Sequence, residues 1–465
     1  MIISLLKDYK QLQTKHFRLA KIFDYLVSLF ILSIPLSVRA VIYSSTEGAN
    51  GFFNPFTSSF FCFSDLIVIF IMVIFGISLY KGVFKLNYFD GRAQRMIWLY
   101  TLSLTILACF SAVFAKDITL VFHIAIRSVL YLFMIYIFCN KYYDLNKGLK
   151  FLIATMVFQS GLSIAQHYFQ SSLGFGFLGE ISFDHSTLGI AKIDVNDIKY
   201  IRSYGTFLHP NVLAGAIVFA ISMTYYMFKS SSKKIWLYAG VILISGLIFT
   251  FSRSALIALA IGSIIYLFII NPRLHNKVSK KKIALGLFIF IILILNSQIG
   301  DQIKARLDIS INDKSVSDRL DYMRISSRML ASHPMGVGAG HFTTRMQEFT
   351  EGKLLPWEHQ PVHNVFMLMA NEFGIFGLAI LILLTCWFSY SLYKINKLFL
   401  IDFDKTLNNI LFLNIVIFFV ISLFDHYFMT NTSMIYLMTF FSGLYVKSID
   451  FKSANVKRIN LRLSR

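Results

Sequence analysis

The sequence has few charged residues, few prolines and few cysteines. Charged residues make up 15% of the 465 positions, whereas a soluble domain carries about 25%. The four cysteines all lie in apolar runs without CxxC spacing, at Cys62, Cys109, Cys139 and Cys386. The composition therefore argues against a soluble globular protein, and the cysteines indicate neither a disulfide framework nor a zinc site.

Apolar residues are abundant and lie in long runs. Hydrophobic residues make up 56% of the chain, and phenylalanine alone occurs 48 times. The runs have about 17 to 25 residues, the length of a helix that crosses the hydrocarbon core of a bilayer. We therefore predict an all-α polytopic membrane protein with twelve spans, near residues 22–43, 59–80, 96–115, 118–139, 149–169, 210–228, 235–251, 254–271, 283–298, 364–393, 408–424 and 427–446.

Basic residues set the predicted orientation. The formal net charge is +20, and most of the 44 lysines and arginines fall on one side of the predicted spans, as in Lys280–Lys282 and the tail from Lys457 to Arg465. Because basic residues are enriched on the cytoplasmic side of membrane proteins, both termini are predicted to be cytoplasmic. The positive charge thus reflects the orientation of the chain in a lipid membrane, and it does not indicate a nucleic-acid partner.

Two long outward segments interrupt the spans, and long loops in compact proteins are usually functional. Two short turns, Ser252–Arg253 and Asp425–His426, lie on the same side, so we expect a functional site at the outer face. The chain accordingly divides into helices 1–5 at 1–169, a first long outward loop at 170–209, helices 6–9 at 210–298, a large outward loop at 299–363, helices 10–12 at 364–446 and a basic cytoplasmic tail at 447–465.

The large loop contains a predicted amphipathic helix from Asp318 to Ser332, which ends at His333-Pro334. Its inner face is predicted from residues that recur at helical spacing, namely Leu320, Met323, Ser327 and Leu330. Ser315 and Asp318 have the spacing of a capping box. That spacing places Arg319 in the first turn, where free backbone N–H groups and a guanidinium suit a phosphate.

Two more arginines and a glycine-rich turn follow in the same loop. Arg324 and Arg328 lie four residues apart on one helix face, where they can bind substrate. The segment Gly336-Val337-Gly338-Ala339-Gly340 permits positive φ angles and close backbone approach. A surface helix with a solvated basic face and a flexible turn is the alternative interpretation of these residues.

His363 and Arg253 lie at the outer ends of predicted spans. A histidine at this wet interface can serve as a general base near neutral pH, or it can simply begin a helix. Arg253 is in a two-residue turn between apolar runs. Charge at that depth is costly and is usually paired or functional, although a snorkelling anchor is the alternative.

Polar residues also flank the sixth span and lie inside two others. Arg202 and Asn211 can contact a sugar or a phosphate, although Pro210 also suits a plain helix start. His123 and Arg127 lie four apart in the fourth span, hence on one face. We expect the buried Glu372 to pair with Arg127 or with another buried cation.

These segments together resemble the O-antigen ligase and polymerase superfamily. The family has a late outward motif of His, a small polar residue, nine residues and Gly, which is matched by His363-Asn364 and Gly374. The stretch from Ser317 to Gly338 is similar to the family's arginine helix and glycine turn. Thr250–Ser254 resembles its arginine turn between two spans, and Arg202–Asn211 resembles the block before its sixth span.

The resemblance implies a metal-independent glycosyltransferase of the GT-C type in the bacterial inner membrane, with a periplasmic site and no cofactor. The donor would be a glycan on undecaprenyl diphosphate, and the acceptor lipid A-core or a second lipid-linked glycan. Arg253 and Arg319 would bind the diphosphate, and His363 would take a proton from the acceptor hydroxyl or orient it. Asn364, Arg202, Asn211, Arg324 and Arg328 are the candidate substrate-binding residues.

Three other functions remain open from the sequence. A polymerase performs the same chemistry with a second lipid-linked glycan as acceptor, and a protein O-glycosyltransferase with a protein. A flippase or other transporter also suits twelve spans, but its halves should repeat with broken helices near the middle of the membrane, and we find no such repeat.

Overall fold

The computed structural model describes residues 2–45, 52–87, 92–140, 142–266, 298–307, 314–397 and 402–463. It is largely helical, with two small antiparallel hairpins on loops. The hairpins are β1 (Arg39–Ser44) with β2 (Ser58–Cys62), and β3 (Lys192–Val195) with β4 (Ile198–Ile201). The α-helices are α1 (Ile2–Ser33), α2 (Phe63–Tyr80), α3 (Arg92–Ser111), α4 (Ile118–Cys139), α5 (Leu145–Phe169), α6 (Pro210–Ser231), α7 (Ile235–Phe249), α8 (Arg253–Ile265), α9 (Gln298–Leu307), α10 (Lys314–Ser332), α11 (Phe342–Arg345), α12 (Val365–Lys397), α13 (Asp402–Ser422), α14 (Tyr427–Thr430) and α15 (Thr432–Leu463).

Six of the described helices are long and apolar enough to cross a membrane. They cover Phe63–Tyr80, Gln94–Phe114, Ile118–Cys139, Leu145–Phe169, Pro210–Ser231 and Val365–Trp387. Shorter apolar helices occupy Ile235–Phe249, Arg253–Ile265 and Thr406–Ser422. The chain is thus a polytopic membrane protein, while the count of twelve spans stays a prediction. The predicted span at 283–298 lies outside the described residues except for Gln298, which begins α9.

The bundle is organised around α6. In α6, 83% of the most apolar window is buried inside the protein, against 17% to 56% for the other five long helices. α6 packs on α5, α7 and α13. Gly215 lets Tyr427 of α14 approach closely, because a Cβ at that position would lie 2.3 Å from the phenol oxygen. The outer ends of α6 and α14 are therefore held together.

The first predicted span, 22–43, is wrong in its second half. Helix α1 ends at Ser33, two residues before Pro35, and residues 39–44 form a strand paired with 58–62. The residue before a proline is disfavoured in helical conformation, and the β-branched residues Val38, Val41 and Ile42 favour a strand. The proline that ends the helix was therefore visible in the sequence.

The predicted inner face of the amphipathic helix was also wrong. In α10 the buried stripe is Tyr322, Ile325, Ser326 and Met329, while Leu320 is 50% exposed. Two offset sets of residues both have helical spacing, and tertiary contacts decide between them. Ser326 can be buried because its hydroxyl accepts a hydrogen bond of 2.7 Å from Asn371 of α12.

The glycine turn packs against a kink in α12. Gly374 interrupts that helix with φ 74° and ψ −179°. The backbone N–H groups of Val337 and Gly338 donate to the carbonyls of Asn371 and Glu372, at 2.8 and 3.1 Å. Gly336 and Gly338 have φ angles of 93° and 104°. The prediction of positive φ and close backbone approach is thus confirmed.

Candidate functional site

Three of the outward segments are joined by a chain of buried hydrogen bonds. The Arg202 guanidinium donates to the Thr250 carbonyl at 2.8 Å and to Asn211 Oδ1 at 2.6 Å. The amide of Asn211 then donates to Asp425 Oδ2 at 2.8 Å. The arginine turn, the block before α6 and the turn before α14 therefore form one rigid unit.

The local sequence explains why Asn211 is placed for this role. His209 is the N-cap of α6, and its ring Nδ1 accepts the Asn211 backbone N–H at 3.1 Å. Pro210 occupies the first helical turn, where its missing N–H has no cost. The described contacts of Asn211 and Arg202 thus fix the architecture of the site, and their predicted contact with substrate stays a prediction.

His363 lies in a cluster of aromatic and imidazole rings at the mouth of α12. Its ring stacks on Tyr322 of α10 with 5.7 Å between centroids and an interplanar angle of 12°. It meets the His426 ring edge-on at 5.0 Å. His426 in turn packs against Phe56 and hydrogen-bonds Thr430 through Nδ1 at 2.8 Å. The cluster therefore joins the first outward hairpin, the large loop and the last outward turn.

The surroundings of His363 favour its neutral form. Burial holds the pKa of His363 well below 6.5, and the charges of His426, Arg319 and His209 lower it further. The Nδ1 atom is buried and has no hydrogen-bond partner among the described residues. Burial also lowers the pKa of His426, while Asp425 opposes that shift. A neutral imidazole at pH 7 can accept a proton, as a general base must.

Arg319 lies near this cluster and has no competing partner among the residues that the structure describes. Its charge acts on both His363 and His426. No hydrogen bond or ion pair joins Arg319 to another residue in the described ranges, so its guanidinium remains available for an anionic ligand. The predicted place of Arg319 in the first helical turn is wrong, however. Helix α10 begins at Lys314, so Arg319 lies beyond the first turn and its free N–H groups.

A cavity of about 960 Å³ extends from the His363 cluster into the helix bundle. Its wall includes His209, His363, Asp425 and His426 at the outer end, and apolar residues of α4, α13 and α15 farther in. The described lining does not include Arg202, Arg253 or Arg319. An apolar cavity that ends at convergent polar groups is the usual form of a small-molecule or lipid site.

The other predicted residues are more peripheral. Arg253 is the first residue of α8, three residues after the carbonyl that binds Arg202. Asn364 precedes α12, accepts the Met367 N–H at 3.0 Å and donates to the Leu423 carbonyl at 3.2 Å. Arg324 and Arg328 form exposed ion pairs with Asp321 and Glu351, both at 2.9 Å. Substrate binding by these residues stays a prediction.

The predicted pairing of Glu372 with Arg127 is wrong. Arg127 pairs with Asp65 of α2 at 3.2 Å and donates to Thr432 Oγ1 at 2.5 Å. The Glu372 carboxylate instead accepts backbone N–H groups of Gly340 and Phe342. Glu372 therefore holds the end of the glycine turn through its backbone N–H groups.

The structure places around His363 three side chains that the sequence did not predict as site residues. Asp425 and His426 belong to an outward turn that the sequence did mark, and Tyr322 carries the ring on which His363 stacks. An acidic residue and a histidine in a very short turn between apolar runs were the available signal for the first two. Nothing in the sequence separated Tyr322 from the other residues of its helix.

A family model described as O-Antigen ligase matches residues 238–382. This region contains Arg253, Arg319, the glycine turn, His363 and Gly374, whereas Arg202, Asn211 and Asp425 lie outside it. No curated protein matches the chain. The match confirms the resemblance that the motifs indicate: residues 238–382 are similar to the O-antigen ligase family, which supports the likeness to the O-antigen ligase and polymerase superfamily.

Proposed function

We propose that this protein transfers a glycan from undecaprenyl diphosphate to lipid A-core at the periplasmic face of the bacterial inner membrane. The family match supports ligase- or polymerase-type action on lipid-linked glycans. The observation that carries the proposal is His363. It lies in the matched region as a neutral imidazole in the wall of the 960 Å³ cavity, beside an arginine without a described partner.

The proposed chemistry is a displacement at the anomeric carbon of the donor sugar. The acceptor hydroxyl forms the new glycosidic bond, its proton passes to a ring nitrogen of His363, and the bond from the sugar to the diphosphate oxygen breaks. Negative charge then develops on the diphosphate. Arg319, joined by Arg253, stabilises that charge, because guanidinium groups bind phosphate oxygens bidentately.

The network of Arg202, Asn211 and Asp425 holds the parts of this site in register. Asp425 precedes His426 in the chain, and its Oδ1 accepts the His426 backbone N–H at 3.1 Å. Each link is buried, so each is stronger than the same bond in water. The network thus positions the His426 ring against His363.

Complementation of a gene deletion tests the reaction type. Under the proposal, the deletion leaves lipid A-core bare while lipid-linked polymer accumulates, and His363→Ala fails to restore the capped lipid on a polysaccharide gel. If the deletion instead leaves single repeat units on the core, the protein is a polymerase and the ligase assignment is wrong. Full rescue by His363→Ala contradicts the role of this residue and favours a transporter.

A further inference from the structure

A second cluster of basic side chains lies deeper in the same cavity. Arg39, His123 and Arg127 all line the cavity, and the proposed transfer reaction uses none of them. They come from β1 and from the middle of α4, far apart in sequence. The hairpin of β1 and β2 brings them together.

The register of the hairpin explains this convergence. Arg39 pairs with Cys62 across the two strands, so their side chains share one face, and Phe60 follows on that face because side chains alternate along a strand. The Arg39 guanidinium lies 3.8 Å from the centre of the Phe60 ring. On the α4 side, Arg127 donates to Cys62 Sγ at 3.4 Å, and His123 binds the Phe60 backbone.

The hairpin extends well below the outer surface. Tyr43, near its outer end, donates to Asp117 at the start of α4 at 2.7 Å. Arg127 is ten residues after Asp117 in that helix, which corresponds to a depth of about 15 Å. Non-helical backbone at such a depth is tolerated only when it is buried in protein or lines a water-filled cavity, and Arg39 and Cys62 of this hairpin line the cavity.

Positive charge at this cluster exceeds the negative charge that the described residues supply. Asp65 is the carboxylate that pairs with Arg127, and it also accepts the Tyr436 hydroxyl at 2.6 Å. Arg39 has the Phe60 ring and no hydrogen bond or ion pair within the described ranges. Arg127 Nε and His123 Nε2 are buried without hydrogen-bond partners there.

The remaining carboxylates of the cavity wall do not offset this charge. Glu372 is bound by backbone N–H groups of the glycine turn. Asp425 is bound by Asn211 and by the His426 backbone. Arg39 is partly buried, and a charge withdrawn from water without a counter-ion is costly, so the cluster suits an anionic group that enters with a ligand.

We propose that Arg39, His123 and Arg127 form a phosphate-binding subsite for the second lipid substrate, the one that brings the acceptor hydroxyl to His363. This inference rests on the proposed function, in which two phosphate-bearing lipids meet at one site. Arg319 faces the donor diphosphate beside His363, and the deeper cluster receives the phosphate of the other lipid. The apolar wall of the cavity covers the hydrocarbon chains of this second lipid.

Binding to the purified protein tests this subsite without any turnover. The probes are lipid A-core, undecaprenyl diphosphate and, as the phosphate-free comparison, undecaprenol. Loss of one charge-assisted hydrogen bond corresponds to about a 10- to 100-fold loss of affinity. We expect Arg39→Gln to weaken binding of one phosphate-bearing lipid by this factor and to leave undecaprenol unchanged.

Three comparisons make the result decisive. Arg39→Lys keeps the charge and should retain most of the affinity. Arg95→Gln, at an exposed position in the first turn of α3, should behave as wild type. Weakened binding of lipid A-core assigns the subsite to a ligase acceptor, and weakened binding of undecaprenyl diphosphate assigns it to a second lipid-linked glycan. Unchanged binding of both, or an equal loss for undecaprenol, overturns the inference.

The same measurement separates this subsite from the proposed function. A protein that binds phosphate-bearing lipids through Arg39 but transfers no glycan retains the subsite and loses the transferase assignment. Thermal unfolding of Arg39→Gln should be only slightly lower than that of wild type, because Arg39 has no described ion pair to lose and gives up only its contact with the Phe60 ring. Arg127 is a poorer probe, since its substitution leaves Asp65 buried without its cation.

Discussion

At the scale of single residues, burial gives His363 a chemical property that its exposed counterpart would lack. A solvated histidine has a pKa near 6.5 and is partly protonated at neutral pH. Stacking on Tyr322 and contact with His426 remove water from its ring. Nearby positive charge from Arg319 then disfavours the imidazolium further. The same residues that hold the ring in place thus keep it in the neutral form that a general base needs before the reaction.

The pH dependence of transfer follows from this lowered pKa. The neutral form is the active one, so activity is complete above the folded pKa and is lost as the pH falls through it. Since that pKa lies well below 6.5, initial transfer rates at pH 8 and pH 6.5 should agree to within about 10%. A rate that halves near pH 6.5 would show an unshifted histidine and contradict the assignment.

Arg319→Ala tests the proposed contact with the leaving diphosphate. Removing one preorganised group that stabilises developing charge lowers kcat by about 100- to 1,000-fold. The unfolding temperature should not change, because Arg319 has no hydrogen bond within the described part of the chain. Arg95→Ala serves as the matched control for a lost arginine. If Arg319→Ala transfers at the wild-type rate, the diphosphate contact is refuted.

At the scale of elements, the glycine turn and the kink of α12 explain the spacing of the family motif. His363 lies two residues before α12 at the wall of the cavity, and Gly374 bends that helix where the turn packs. A Cβ on Gly374 would lie 2.6 Å from the Met335 carbonyl carbon and oxygen. The motif requires a glycine at position 374 because the backbone of the glycine turn approaches closely there, and not because Gly374 takes part in the chemistry.

Gly374→Ala should destabilise the large loop and reduce transfer together. The positive φ costs about 1–2 kcal/mol for an L-residue, and the contact with Met335 adds to that. Gly240→Ala in α7 is the control, since its Cβ meets nothing within 4 Å. Chemical unfolding of both variants in detergent gives the comparison. Equal stability of the two would disprove the packing argument.

At the scale of the whole molecule, the sequence predicted the class of protein, a largely helical polytopic membrane protein. Apolar run lengths and charge asymmetry follow from the bilayer itself, so they are legible without tertiary contacts. For Arg202, Asn211 and Asp425, the sequence predicted only that they lie on the same side of the membrane. Their hydrogen bonds depend on helix packing, which no local pattern encodes.

Errors of prediction arose where two local signals competed. Pro35 and the β-branched residues after it overrode an apolar run, and β1 formed where a helix was expected. In α10 two stripes had helical spacing, and the one containing Tyr322 was buried because it meets Asn371 and the glycine turn. Arg127 pairs with Asp65 and not with Glu372, because the depth and direction of the side chains decide which ion pairs form inside a helix bundle.

The most direct measurement is glycan transfer by the purified protein in lipid, with undecaprenyl-diphosphate-linked glycan as donor, lipid A-core as acceptor and EDTA present. The account predicts transfer by wild type, and a loss of about 100- to 10,000-fold in His363→Ala, as expected for a missing general base. His363→Ala should still bind donor. Transfer by His363→Ala at the wild-type rate, or wild-type activity that requires added Mg²⁺, would contradict it.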